Sequence, residues 1–241
     1  MDRLAVLYED EWLLVVDKPA GMHCAPLHAG DTGTLLHLVL ERYPAVASVP
    51  GLKPLEPGLV HRIDSGTSGA VVVARTPRAF EALRQSFNEP GTVKTYRAAC
   101  AAQDRRPGDT LTVESRFAPL GEGRRRVRVV LPDDPRAARR GATRTVYRTG
   151  ATVDALREGR ALVSAVISRG FRHQVRAHLA FRGLPIFGDP LYGVAVPPGA
   201  EDRMYLHAWR VQMRHPDTGA PLVVESALPP CFARLLEGGE P

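Results

Sequence analysis

Cysteine is scarce in this chain. Cys24, Cys100 and Cys231 are the only three, they lie far apart, and no CxxC pair occurs. Neighbouring thiols therefore supply neither a zinc knuckle nor a redox pair, and a reducing, cytoplasmic home is expected. Long apolar runs are also missing: no window approaches the roughly 20 apolar residues of a membrane span. The first residues, MDRLAVLYEDEWLLVV, carry acids where an export signal needs a basic and then an apolar stretch. The eight histidines show no HExxH spacing, which argues against a metal site. A GxSxG elbow and a GxxxxGK[ST] loop are absent as well. The letters HRID occur in kinase catalytic loops, but no GxGxxG, no DFG and no correctly spaced Asn accompany them, so that chemistry is excluded. There is no internal repeat and no low-complexity linker.

Lysine is nearly absent. It occurs only at positions 18, 53 and 94, so 29 of the 32 basic residues are arginine. The formal net charge is +6, and the excess is concentrated. Nine arginines fall between Arg124 and Arg148 against Asp133 and Asp134. Such a stripe is the electrostatic footprint of a polyanion partner, because each neutralised phosphate releases condensed counterions. A solvated arginine-rich loop, produced by biased codon usage, is the competing explanation. At 241 residues the chain suffices for one large domain or for two half-sized lobes.

Periodicity gives a coarse outline. Leu4 to Tyr8 and Trp12 to Val16 read as short strands around the acidic turn EDE, and DKPAGMHCAP reads as loop. Gly33 to Tyr43 carries Leu35, Leu36, Val39 and Leu40 at helical spacing, with Pro44 as the stop. GAVVVAR is an apolar, β-branched run expected inside a sheet. Thr76 then caps a helix with Pro77 at its first position and Phe80, Leu83 and Phe87 along its inner stripe. Lys94 to Ala102 and Ala161 to Ser168 read as further strands. Between them TLTVE, RRVRVVL and TRTVYR suggest an antiparallel lobe with a basic loop at Pro132 to Arg140. Arg172 to Arg182 reads as a helix, with Phe171, Val175, His178 and Leu179 within one stripe and Arg172 and Arg176 one turn apart on its edge. Those guanidinium groups either reach water or sit in a cleft against an anion.

One stretch resists a purely structural reading. In GLVHRIDSGTSGAVVVAR, Arg62 and Asp64 stand directly in front of the interior strand. HRIDSGTSG resembles the HRLDxxTSG signature of the RluA-like pseudouridine synthases. Other blocks resemble that family in order along the chain: YEDEWLLVVDKPAGM its first strands and KPxG loop, KTYRA its KxYxA strand, and GFRHQVRAHLAFRGLPIFGDPLYG its HQIRVHL and GDPLYG block. LHAWRVQMRHPDTGAPL resembles its LHAxxLxFxHPxTG segment, so the likeness runs from Tyr8 to Leu222.

The resemblance implies an α+β, pseudouridine synthase-like fold, with a long mixed sheet flanked by helices and loops and an RNA cleft across its middle. It implies residues 1–241 as a single catalytic domain, two lobes around one cleft, with no N-terminal RNA-binding domain. The implied reaction is isomerisation of uridine to pseudouridine within ribosomal or transfer RNA. Asp64 would be the nucleophile, Tyr96 would stack on the base and take the carbon-5 proton, and Arg176 would pair with the aspartate. Arg62 would fill the space left by the flipped base, since a planar guanidinium stacks on bases as well as bonding phosphate. No cofactor and no metal are implied, because the isomerisation involves no redox change. Thr67, Ser68 and Gly69 are expected to shape the turn, with direct RNA contact as the second reading.

The remaining RNA-contact candidates carry two readings each. His61 and His173 either satisfy a local backbone group or touch RNA; Lys18 either holds a phosphate or terminates a strand. Arg172 and the cluster Arg124, Arg125 and Arg126 are expected on the RNA side. Departures from the family pattern bear on substrate choice: Ser65 and Gly66 follow Asp64 where many relatives have Arg, and Phe171 and Arg172 replace the basic residue and threonine before the histidine. A non-catalytic RNA-binding or ribosome-assembly factor is the alternative, and a nucleoside glycosidase a third reading. RNA is the expected partner, with no membrane association and no obligatory protein partner evident.

Overall fold

A computed structural model describes residues 4–88, 91–135, 137–138 and 141–237. In chain order they form β1 (Ala5–Glu9), β2 (Leu13–Lys18), α1 (Leu35–Arg42), β3 (Ser68–Ala74), α2 (Pro77–Asn88), β4 (Val93–Ala101), β5 (Thr110–Leu120) and β6 (Arg126–Val130). Then follow β7 (Tyr147–Arg157), β8 (Arg160–Ile167), α3 (Gln174–Phe181), β9 (Leu206–Arg214), β10 (Pro221–Glu225) and α4 (Pro230–Glu237). The chain divides into two compact units, one of residues 1–95 and 207–227, the other of residues 96–206 and 228–241.

In the first unit the strand order is β1-β2-β3-β9, with β10 on β9. All pairings are antiparallel except β3 with β9, which is parallel at Ser68–His207 and Gly69–Ala208. Every residue of β3 is buried, as its unbroken apolar run requires. One face of β2 and β3, with Leu13, Val15, Val72 and Ala74, packs with Phe80, Leu83 and Phe87 of α2 and with Val211 and Met213 of β9. Each of the Val, Leu, Phe and Met side chains among them stabilises the fold by about 1.5–3 kcal/mol. The Thr76 hydroxyl accepts from Ala79 N at 3.1 Å, so α2 starts where its cap was expected. Likewise Thr34 caps α1 by accepting from His37 N. Pro44 ends α1 but also opens a short 3₁₀ turn, Pro44–Ser48, its preset φ suiting the first position.

In the second unit the order is β4-β8-β7-β5-β6. The β5–β6, β5–β7 and β7–β8 pairings are antiparallel, as the alternating pieces suggested. TRTVYR differs from its reading as a strand: β7 begins only at Tyr147, because Thr143 turns back, donating to Thr145 O and accepting from Phe117 N. A small core of Phe117, Val127 and Ala177 carries Tyr147, Phe171 and Tyr192 around it. Phe171 stacks on Phe117 at 4.9 Å between ring centres. Arg136, Arg139 and Arg140 of the expected basic loop lie outside the described residues.

Helix α3 starts two residues later than its periodicity suggested. His173 adopts a left-handed φ of 57° as N-cap, so Arg172 lies before the helix, exposed, and is not one turn below Arg176 on a shared ridge. Gln174 fixes this start: its Oε1 accepts from Phe171 N, and its Nε2 donates to Arg148 O and Thr149 Oγ1. Residues Gln174 to Leu179 are all buried, which no single apolar stripe would foretell.

Candidate active site

Asp64 stands at the head of a turn closed by Thr67 N donating to Asp64 O at 3.0 Å. Three devices within the first unit fix that turn. At its exit, Gly69 has φ +113°, and a Cβ there would lie 2.3 Å from Ala208 O, so only glycine lets β3 pair so closely with β9. Beside it the Ser68 hydroxyl bonds His207 Nδ1 at 2.9 Å, and the opposite ring nitrogen of His207 faces Ser226 O. The TSG residues therefore shape the turn, as expected.

Lys18 supplies the third device. It is fully buried, and its Nζ donates to Pro19 O (2.8 Å), Met22 O (2.7 Å) and Ser65 O (3.0 Å). Three ammonium protons are thus spent on three carbonyls. Ser65 O also accepts from Gly21 N at 2.8 Å. The KPAG loop is latched onto the residue following Asp64, and Lys18 as a phosphate contact is corrected to a buried anchor.

His61 also takes the structural of its two readings. Its Nε2 accepts from Val72 N at 3.0 Å, and its ring stacks on Phe87 at 4.8 Å. Burial, with a smaller effect from the nearby Lys94 charge, pushes its pKa down to about 3. A neutral ring adds no charge to an RNA surface at neutral pH. Lys94 is itself lowered to about 8 by burial, with its ammonium 4.9 Å over the Phe87 ring. The remaining member of the motif, Arg62, is half exposed and donates from Nη1 to Glu56 Oε1 at 2.6 Å.

In the second unit Tyr96 is buried on β4, with 9% of its surface exposed. Arg176 forms a buried, two-pronged pair with Asp189: Nε donates to Oδ2 at 2.7 Å and Nη2 to Oδ1 at 2.6 Å. Oδ1 of Asp189 also accepts from the backbone of Leu191 and Tyr192. Burial pushes the Asp189 carboxyl up, but the hydrogen bonds and charge of Arg176 with those two N–H groups outweigh it, and the pKa lies below the usual range. The Arg176 guanidinium also lies 5.3 Å from the Tyr192 ring centre. Tyr192 in turn accepts from Val127 N and meets His173 Nδ1 at 3.0 Å.

The same unit gathers several of the expected RNA contacts. Arg172 donates to Arg124 O at 2.6 Å, and Arg126 reaches Leu191 O at 3.3 Å. Arg124, Arg125 and Arg126 are all exposed. A basic surface therefore adjoins the Arg176–Asp189 pair. Sequence pattern does not single out Asp189, Tyr192 or Glu56. The Gly-Asp-Pro turn of GDPLYG is the available signal for Asp189.

The fold defines the class first. The chain aligns with the human structure RNA Pseudouridylate Synthase Domain Containing 1 at a TM-score of 0.70 and 21% identity, covering 95% of this chain and 88% of that one. Domain Containing 4, also human, gives 0.69 and 21%, covering 97% and 92%. The architecture is that α+β, pseudouridine synthase-like fold. A family profile described as RNA pseudouridylate synthase matches residues 12–181. Ribosomal large subunit pseudouridine synthase D of Xanthomonas campestris is 34% identical over 249 residues, covering 97% of this chain and 68% of that protein. Its namesakes in Nitrosomonas europaea and Pseudomonas aeruginosa are 34% and 32% identical, with 97% of this chain and 64% and 71% of those proteins covered. The chain spans roughly two thirds of the length of these curated relatives. It belongs to the RNA pseudouridylate synthase family, a family of isomerases. Among the described residues no helix is long and apolar enough to cross a membrane, and no group of three or more His, Cys, Asp or Glu could hold a metal ion.

Proposed function

We propose that this protein isomerises one or a few specific uridines in ribosomal or transfer RNA, with Asp64 as nucleophile and the two units working as one catalytic domain in the cytoplasm. The names of the relatives favour large-subunit ribosomal RNA. The observation that carries the reading is the Asp64 turn, pinned by Lys18, Gly21 and Gly69 within the segment that the family profile matches. A reactive carboxylate requires a fixed position, and a turn tied at both ends to a buried strand provides one.

The reaction breaks the bond between the sugar carbon and N1 of uracil, rotates the base and rejoins it through carbon 5; carbon 5 loses its proton and N1 gains one, so the formula is unchanged. Uracil must first leave its stack, which costs a few kcal/mol. Arg62 takes the vacated place, and Tyr96 stacks on the extruded base and accepts the proton. Arg176, held rigid by Asp189, is the cation proposed as counter-ion to the Asp64 carboxylate. Arg172, His173 and Arg124 to Arg126 hold flanking phosphates. Atoms and electrons balance without oxidant, metal or cofactor.

Pseudouridine mapping of cellular RNA, with and without the gene, tests this. Loss of one or a few sites, restored by the wild-type gene, is the expected result and names the substrate. An unchanged map in a strain whose protein still binds RNA favours the non-catalytic assembly factor.

A further inference from the structure

Glu56 is a buried carboxylate that neither the fold nor the reaction so far explains. Its side chain is 4% exposed, whereas that of Arg62 is 48% exposed. Oε1 accepts from Arg62 Nη1 at 2.6 Å, and Oε2 is buried with no hydrogen-bond partner among the described residues. The backbone beneath it is closed tightly: Glu56 N donates to Lys53 O, Leu59 N to Glu56 O and Gly58 N to Pro50 O. Gly51 also leaves no space, since a Cβ there would meet Glu56 O at 2.2 Å. The backbone on the Arg62 side is equally fixed, because Leu59, Val60 and Ile63 are buried and Cys24 Sγ donates to Ile63 O.

The pair is thus asymmetric, a fixed acid below and a half-open guanidinium above. A buried carboxylate that has one orphaned oxygen already cannot release its single cationic partner without leaving both oxygens unpaired. Arginine meets this demand where lysine would not: one Nη stays on the acid while the other donors and the flat face remain available. With one Nη committed before RNA arrives, less rotamer freedom remains to be lost at the encounter.

We infer that Glu56 is a positioning residue for RNA engagement, gripping one edge of Arg62 so that the exposed remainder is presented already oriented to the RNA. The inference rests on the reading that Arg62 enters the RNA. It also gives Glu56 a role that folding alone does not. Replacing a carboxylate with an unpaired oxygen by an apolar side chain of similar volume removes a penalty as well as a bond.

The test is a double-substitution cycle of Glu56→Met and Arg62→Ala. Affinity for unmodified large-subunit ribosomal RNA transcribed in vitro is measured at one salt concentration, with urea unfolding of each variant alongside. Glu56→Met is expected to stay as stable as wild type yet bind about tenfold more weakly, tenfold being about 1.4 kcal/mol of the lost preorganisation. In turnover the loss falls on KM more than on kcat. Once Arg62 is alanine, Glu56→Met is expected to have no further effect. The inference is overturned if Glu56→Met binds as tightly as wild type or tighter, the latter meaning that the acid sequesters Arg62. It is equally overturned if the two losses multiply in the double variant, a purely structural role. Should Glu56→Met not fold, Glu56→Gln carries the same cycle with the charge alone removed. A different failure separates the underlying reading: Arg62→Ala binding as wild type removes Arg62 from the RNA contact, whatever Glu56 does.

Discussion

Replacing Lys18 by methionine keeps most of the side-chain volume and deletes the ammonium. Of the three carbonyls it serves, Ser65 O retains its bond from Gly21 N, while Pro19 O and Met22 O lose theirs. Pro19 is exposed and Met22 half-buried, so the loss is that of the bonds themselves, and two hydrogen bonds from a charged donor are worth about 3–6 kcal/mol together. Relief from burying a charge returns part of this, leaving an expected loss of about 3 kcal/mol in urea unfolding at neutral pH. The loss should be local in its consequences. With the latch between the KPAG loop and Ser65 reduced to one bond, amide exchange at Gly21 and Thr67 should accelerate more than exchange in β2 or β3, and kcat should fall with the freed Asp64 turn. A stability loss below about 1 kcal/mol, or uniform acceleration of exchange, would refute the assignment of Lys18 as the anchor of that turn.

Other expected outcomes follow from the same geometry. Gly69→Ala must force a methyl to within 2.3 Å of Ala208 O at a φ of +113°, so it should cost at least about 3 kcal/mol and be seen as loss of soluble protein. Asp189→Asn leaves the Arg176 charge buried and should cost about 3–5 kcal/mol in unfolding, with catalysis lost before the fold is. His61 and His178 have pKa values lowered by burial to about 3 and about 4, so the unfolded chain binds their protons first as pH falls. Their contribution is whole above about pH 6.5 and declines as pH falls toward 4, at up to about 1.4 kcal/mol per unit for each; urea midpoints against pH, with His178→Gln flattening the slope, check this. Replacing Arg124, Arg125 and Arg126 by alanine should weaken RNA binding and lower the salt slope by about two to three units; an unchanged slope returns that surface to plain solvation.

The elements legible in the sequence are those whose signal is local. β3 and α2 lie within one unbroken apolar run, one cap and one stripe, and nothing distant was needed to find them. β7 is illegible beyond its start because a bulge between Val153 and Ala155 breaks its alternation, so the pattern changes face midway. Helix α3 starts later than its periodicity suggests because a left-handed histidine, held by Gln174 side-chain bonds to β7, overrides the pattern that would include Arg172. The same division holds at the site. Asp64 and Arg62 are legible because their motif is compact. The anion beside Arg176 is another matter: Asp189 lies 13 positions on and is brought back by a turn, so spacing alone carries no trace of the pair. Lys18 is a different case: the sequence leaves a phosphate contact and a strand end equally open, and it is the strand end that the three carbonyls favour.

The central claim is that Asp64 performs the chemistry and does not merely bind. A single-turnover assay of pseudouridine formation, run with saturating wild-type or Asp64→Asn protein on RNA bearing the mapped uridine, tests it most directly. Wild-type protein should convert the uridine, while the asparagine variant binds the same RNA comparably and forms no pseudouridine. Conversion by Asp64→Asn at even a tenth of the wild-type rate would contradict the account.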